Sequence, residues 1–170
     1  MRPRSPMATR CWTLLATLTI LVGSSSGALA GSHLWRFSEF YSSADRSIQF
    51  IEMQEIGGSD SEVAISLHWF ETNSYNNDHS EVLGSNLPYG TAYKKFLVGS
   101  ESYAALPDVP APDYVIPDRS LRFNGDTVHW WFYQTIVIPP GVLPTDGVNS
   151  ITVVDASAPP LRMVLPAGCV

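Results

Sequence analysis

His129-Trp130-Trp131-Phe132-Tyr133 is the stretch of this chain richest in side chains able to hold a ligand. In an extended strand successive side chains point to opposite faces, so Trp130 and Phe132 go one way and Trp131 and Tyr133 the other. One pair is expected to fill a core, and a loop covering the second pair is the commoner arrangement for a wide aromatic strand. Left exposed, the second pair would form a flat stacking surface for sugar rings or a protein partner. Trp131 and Tyr133 are therefore the candidate ligand-binding residues.

Glu52 is the carboxylate of greatest interest. It shares a strand face with Ile48 and Phe50, where an ionised carboxylate needs a partner. The expected role is structural, paired with Arg36, Arg46, Arg119 or backbone amides, and no second catalytic member is visible. Four histidines are present: His33, His68, His79 and His129. His68 with Asp78, His79 and Glu81 would be the candidate metal cluster, but the spacing is not that of a recognised zinc site and no cysteine ligands accompany it. Solvated histidines are the expectation. Asp108, Asp113 and Asp118 sit five apart among prolines, not at the alternating positions of a calcium loop. No Gly-x-Ser-x-Gly elbow occurs, since Gly99-Ser100-Glu101-Ser102 lacks the second glycine. Cys169, beside the terminal Val170, lacks the flanking base and rigid setting of a nucleophile. The expectation is a protein without catalytic residues, metal or cofactor.

The elements that must position these residues are mostly strands. Alternating apolar and polar residues predict strands over 34–41, 47–55, 63–70, 79–83, 93–98, 148–154 and 161–165. Leu34, Arg36 and Ser38 are set against Trp35, Phe37 and Glu39. Ile48 and Phe50 oppose Ile51 and Met53, as in a central strand covered on both faces. Asn124-Gly125 predicts a hairpin joining 120–123 to 127–133. Residues 72–78 read as a loop, 101–106 as the one helical turn, and Pro107 to Pro117, with four prolines, as an irregular loop or sheet edge. Eight to ten short strands separated by turns argue for an all-β fold, an antiparallel β-sandwich forming a single domain.

Residues 1–30 read as an export signal. Arg2, Arg4 and Arg10 precede the apolar run Thr13 to Val22, and Ala28-Leu29-Ala30 fits a signal-peptidase site. That run is shorter than the about 20 residues of a membrane span. Cleavage after Ala30 would leave residues 31–170 as the domain, secreted or periplasmic, with no membrane attachment. The whole chain carries a net charge of −6; all sixteen acidic residues lie beyond Ala30 against seven basic ones. So acidic a surface repels phosphate backbones and anionic lipid, which argues against nucleic-acid partners. With Cys11 removed, Cys169 has no intrachain partner, so the fold is expected to stand on apolar packing.

Three segments resemble lamin-tail-like domains. Leu34-Trp35-Arg36-Phe37-Ser38-Glu39-Phe40-Tyr41 followed by Ile48-Gln49-Phe50-Ile51-Glu52-Met53 is similar to that family's opening strands. Lys95-Phe96-Leu97-Val98-Gly99-Ser100 with Tyr103-Ala104 is similar to its middle strand and exit. Ser120-Leu121-Arg122-Phe123-Asn124-Gly125-Asp126-Thr127-Val128 is similar to its polar-Gly-Asp hairpin. The resemblance, which extends to exported bacterial proteins without an assigned activity, implies an immunoglobulin-like sandwich and a binding or positioning role, and it transfers no catalytic residue. The expected function is an exported, non-enzymatic binding or interaction module for a protein or glycan. A carbohydrate-binding module using Trp131 and Tyr133, and a hydrolase whose carboxylates converge only in three dimensions, are the alternatives.

Overall fold

The computed structural model describes residues 31–74, 77–122, 124–153 and 163–164; for 73–74, 77–79 and 163–164 the description is of the backbone. The expected leader and Cys169 lie outside the described residues. Among the described residues ten strands and one helical turn follow in order: β1 (Trp35–Ser42), β2 (Gln49–Glu55), β3 (Trp69–Ser74), β4 (Asn77–Val82), β5 (Lys95–Ser100), α1 (Glu101–Ala104), β6 (Tyr114–Ile116), β7 (Asp126–Trp130), β8 (Gln134–Ile138), β9 (Ser150–Val153) and β10 (Met163–Val164). They form a six-stranded sheet, β10-β9-β1-β2-β5-β6, and a four-stranded sheet, β4-β3-β7-β8. Every pairing is antiparallel except β5 with β6, so the expected purely antiparallel architecture is corrected at one edge.

The core lies between the two sheets, as in a β-sandwich. Phe37, Phe40, Ile51, Met53, Phe96, Val98 and Ile151 face Phe70, Val128, Trp130, Ile136 and Ile138, and all are buried. Trp35 meets Phe96 edge-on with centroids 4.6 Å apart, and Phe70 lies 4.9 Å from Trp130. Burial of this kind contributes about 1.5–3 kcal/mol for each large apolar side chain.

β2 shows how the pattern works. Gln49, Ile51, Met53 and Glu55 point inward, while Phe50, Glu52 and Gln54 are half-buried on the outer face. Phe50 is stacked on Tyr41 at 5.3 Å and met edge-on by Tyr103 at 5.7 Å, so both faces are covered. In β1 the simple alternation fails. A bulge between Phe37 and Glu39 shifts the register, so Phe40 and Ser42 follow Trp35 and Phe37 inward and Glu39 turns outward. Such a bulge places two residues opposite one and re-aims every side chain beyond it.

Three expected elements are corrected. Residues 63–68 turn rather than extend: Leu67 has φ 68°, and the His68 amide donates to Ile65 O at 3.1 Å. Residues 72–74 and 77–78, within the stretch expected as a loop, are strand, in a β3–β4 ladder paired from Trp69↔Val82 to Ser74↔Asn77. The Asn124-Gly125 hairpin does not form. Instead the Gln49 amide group takes both backbone polar groups of Leu121, at 2.8 and 2.9 Å, and Thr72 Oγ1 donates to Ser120 O at 3.1 Å. At Ser120 and Leu121 side chains thus take the backbone groups that a strand ladder would use. The hairpin that does form joins β7 to β8 through residues 131–133.

Candidate functional site

That three-residue connection is the expected aromatic cluster, folded differently from a strand. Trp130 ends β7 fully buried. Trp131 then adopts φ 41°, its amide donating to Trp69 O at 3.0 Å, and the Tyr133 amide donates to Trp130 O at 3.0 Å. A bulky residue in left-handed backbone costs on the order of 1–3 kcal/mol, and such outliers gather at functional sites. The turn breaks the two-residue period. Trp130 and Phe132 therefore do not share a face: Trp130 is inside and Phe132 is 82% exposed. This corrects the expected pairing. Trp131 is half-buried and Tyr133 is 37% exposed, with their rings tilted by 47° at 5.9 Å. They do not make the flat coplanar surface that the sequence alternation suggests.

The exposed aromatic surface is built by their neighbours as well. Phe132 meets Trp69 edge-on at 5.6 Å, and Val82, which pairs with Trp69 across the hairpin, is exposed. Leu67, 73% exposed, lies one residue before the His68 that supports the turn. Trp131 links the two parts, 5.7 Å from Phe132 and 3.6 Å from the His68 ring.

His68 is buried, contrary to the expected solvated histidines. Its ring stacks on Trp130 at 5.4 Å and on Tyr133 at 5.9 Å, both inclined by 27°. Nδ1 faces Ser66 O at 3.3 Å, and Nε2 is hydrogen-bonded to the hydroxyl of Ser32, itself fully buried. Ser32 O also accepts from Trp130 Nε1 at 3.4 Å. This is a serine–histidine pair that no motif announces, because its members lie 36 residues apart. Ser32 is inaccessible, and a backbone carbonyl stands at Nδ1 where a nucleophilic triad places a carboxylate. Burial holds His68 below the ordinary histidine range, opposed by hydrogen bonding with the backbone of Ser66 and Ile65. Stacking on aromatic faces would favour an imidazolium by about 0.5–2 kcal/mol, but a buried charge without a carboxylate partner costs several kcal/mol, so the neutral ring wins. Beside it, exposed His33 lies 6.4 Å from Tyr133, its Nδ1 3.6 Å from the buried Glu62.

The carboxylates are employed elsewhere. Glu52 accepts from Lys95 Nζ at 2.6 Å and Ser38 Oγ at 2.8 Å, so its partner is none of the expected arginines. The β1 bulge delivers that serine and also sets Glu39 directly opposite Glu52, a second carboxylate hidden from the sequence pattern. Glu39 is hydrogen-bonded to Ser150 Oγ, and the pair stands on an open sheet face with both acids occupied. The fully buried acid is Glu55, not Glu52. Its two oxygens accept backbone N–H from Gly57, Gly58 and Tyr93 at 2.8 Å and from Ser59 at 3.2 Å. Burial pushes its pKa up, but these four donors outweigh burial and leave it lowered. Asp126, also buried, is pushed up to about 6 by burial, against amide donation from Arg122 and Thr127 and the charges of Arg122 and His129.

Asp113 accepts from Tyr89 Oη and the Leu97 amide, both at 2.8 Å, while Asp118 binds Ser102, so each pins the proline loop to β5 or α1. The side chains of Asp78 and His79 lie outside the described residues. Among the described residues no three His, Cys, Asp or Glu side chains gather to hold a metal ion. No described helix is long and apolar enough to cross a membrane. Compared with protein-family models, with curated proteins and with solved structures, the chain matches none.

Proposed function

We propose that this protein is an exported, non-enzymatic binding module of immunoglobulin-like type, and that its ligand surface is the β7–β8 turn with the adjoining Trp69, Val82 and Leu67. The observation that carries this reading is Phe132, a large aromatic 82% exposed on a turn that is held in strained backbone by a buried scaffold. An exposed aromatic group on a rigid support loses little entropy when it docks. The leader-like residues 1–30 support export, and the lamin-tail-like segments agree with a binding role. The buried acids, committed to backbone amides, speak for structure over catalysis.

A glycan is the favoured ligand class within this reading, because Tyr133 adds a hydroxyl and His33 a ring nitrogen beside the aromatic faces of Phe132 and Trp131. Sugar rings present apolar C–H faces and polar edges, and such a mixed surface suits both. The hydrolase alternative rests only on Glu39 opposite Glu52, and Lys95 and two serines already occupy those acids. The test is a binding screen with cello-, laminari-, malto- and chito-oligosaccharides, run in parallel on Phe132→Ala. Binding by the natural protein that the variant loses supports the reading; hydrolysis of any of these probes, lost on Glu52→Gln, replaces it with the enzymatic one.

A further inference from the structure

We propose that Ser32 and His68 are positioning residues for the aromatic turn, and that their hydrogen bond is a proton-sensitive latch which holds Trp131 and Tyr133 in the closed arrangement. The inference concerns how the proposed ligand surface is regulated, and it rests on that reading for its biological meaning only. The latch has three parts. The imidazole lies against Trp130 and Tyr133, with Trp131 edge-on at 3.6 Å, so every aromatic side chain of the turn but Phe132 rests on it. Its two nitrogens have complementary jobs in the neutral ring: Nδ1–H donates to Ser66 O, and Nε2 accepts from the Ser32 hydroxyl. Ser32 is in turn fixed by Trp130, whose indole N–H donates to its carbonyl at 3.4 Å.

Protonation removes the acceptor. Nε2 then carries a hydrogen that faces the serine hydroxyl, so the bond is held only in reverse, with Oγ accepting, and the buried hydroxyl hydrogen loses the nitrogen it was donated to. Among the described residues the new charge also has no counter-ion in contact with it. Around it the titratable and charged groups are His33 and Tyr133, with Glu62 and Arg36 behind them. Glu62 accepts from the Leu34 amide at 3.1 Å and faces His33, and Arg36 donates to the carbonyls of His33 and Trp35. Among the described residues no carboxylate contacts the His68 ring. Relief comes from moving the ring toward water, and the side chains resting on it must move with it. Trp131 is the part most ready to go, since its backbone is strained and its buried Nε1 has no hydrogen-bond partner among the described residues. Each unit by which the released state binds the proton more tightly multiplies the released population tenfold below the midpoint.

The test uses the protein labelled with 5-fluorotryptophan and no ligand. Fluorine NMR follows the relaxation of each indole by a soluble neutral gadolinium chelate between pH 8 and pH 5. The expected result is a several-fold rise for Trp131, with a midpoint below the ordinary histidine value, while the core Trp35 stays protected. His68→Gln should give a flat profile. Ser32→Ala, which removes only a hydroxyl, should move the midpoint upward and remains informative if the glutamine variant does not fold. A Trp131 signal unchanged across this range, a change shared by Trp35, a pH profile that survives His68→Gln, or an unmoved midpoint in Ser32→Ala would overturn the proposal. Because no ligand is present, a failed glycan screen leaves this result standing, and a flat profile leaves the ligand surface standing.

Discussion

Replacing Glu55 by glutamine changes one carboxylate oxygen into an amide nitrogen at the point where β2 leaves the sheet. Oε1 serves the amides of Gly57 and Ser59, and Oε2 serves those of Gly58 and Tyr93. Glutamine keeps one acceptor and turns a donor toward the other two N–H groups, so two charge-assisted bonds are lost whichever way it is oriented. An unsatisfied buried donor costs about 1–3 kcal/mol, and the exposed positions of Gly57 and Tyr93 let water recover part of that, giving about 2–3 kcal/mol. At ~2–4 °C per kcal/mol for a chain of this size, the melting temperature should fall by roughly 5–10 °C. The pH dependence carries its own sign. The carboxyl's folded pKa is lowered, so its contribution is present above the unfolded value and disappears as pH falls through the folded one. Thermal melts of both proteins between pH 7 and pH 3 should therefore converge in acid. A loss below about 2 °C at pH 7, or a gap that persists undiminished at pH 3, would refute the assignment of Glu55 as the anchor of these loops.

Other perturbations have distinct outcomes. Phe132→Ala should leave stability within about 0.5 kcal/mol of the natural protein in urea melts, as befits a side chain outside the core. Trp130→Ala empties the centre of the sandwich and should cost about 3–5 kcal/mol in the same assay. Asp126 has a folded pKa of about 6, above its unfolded value, so its contribution is full below pH ~4 and lost as pH rises through 6. Asp126→Asn should flatten that decline, worth at most about 3 kcal/mol, in melting temperatures read from pH 4 to pH 7. Glu52→Ala removes a half-exposed ion pair and should cost less than about 1 kcal/mol, with high salt narrowing the difference.

How much of this was legible in the sequence depended on where local patterns were free to act. β2 follows its alternation throughout and β1 follows it as far as the bulge, because each buries one largely apolar face, while β5 and β9 fall within a few residues of their expected positions. α1 follows its serine cap: Ser100 Oγ accepts the Tyr103 amide. The pattern gave way where one side chain took over a distant backbone. Gln49 bonding Leu121 dissolved the expected Asn-Gly hairpin, and the β1 bulge turned Glu39 toward Glu52. At the aromatic cluster the period of two failed because a turn, not a strand, carries residues 131–133. A bulky tryptophan gives no local sign that it will accept positive φ. The buried His68 was equally silent, since its partners come from Ser32 and from the turn. What could have been noticed is that Gln49 and Glu55 share the inward face of β2 with Ile51 and Met53, which marks them as acids and amides with fixed partners.

The central claim is that the β7–β8 turn is the ligand surface, and one comparison tests it most directly. The natural protein and a Phe132→Ala, Tyr133→Ala double variant, matched in melting temperature and urea midpoint, are titrated in parallel with the oligosaccharide panel and with exported proteins from the same source. Indole resonances of Trp69 and Trp131 report contact, and Trp35 serves as the silent reference. The account predicts at least one probe that shifts Trp69 and Trp131 in the natural protein and fails to bind the variant. Retention of every bound probe by the variant, or shifts that bypass Trp69 and Trp131, would contradict it.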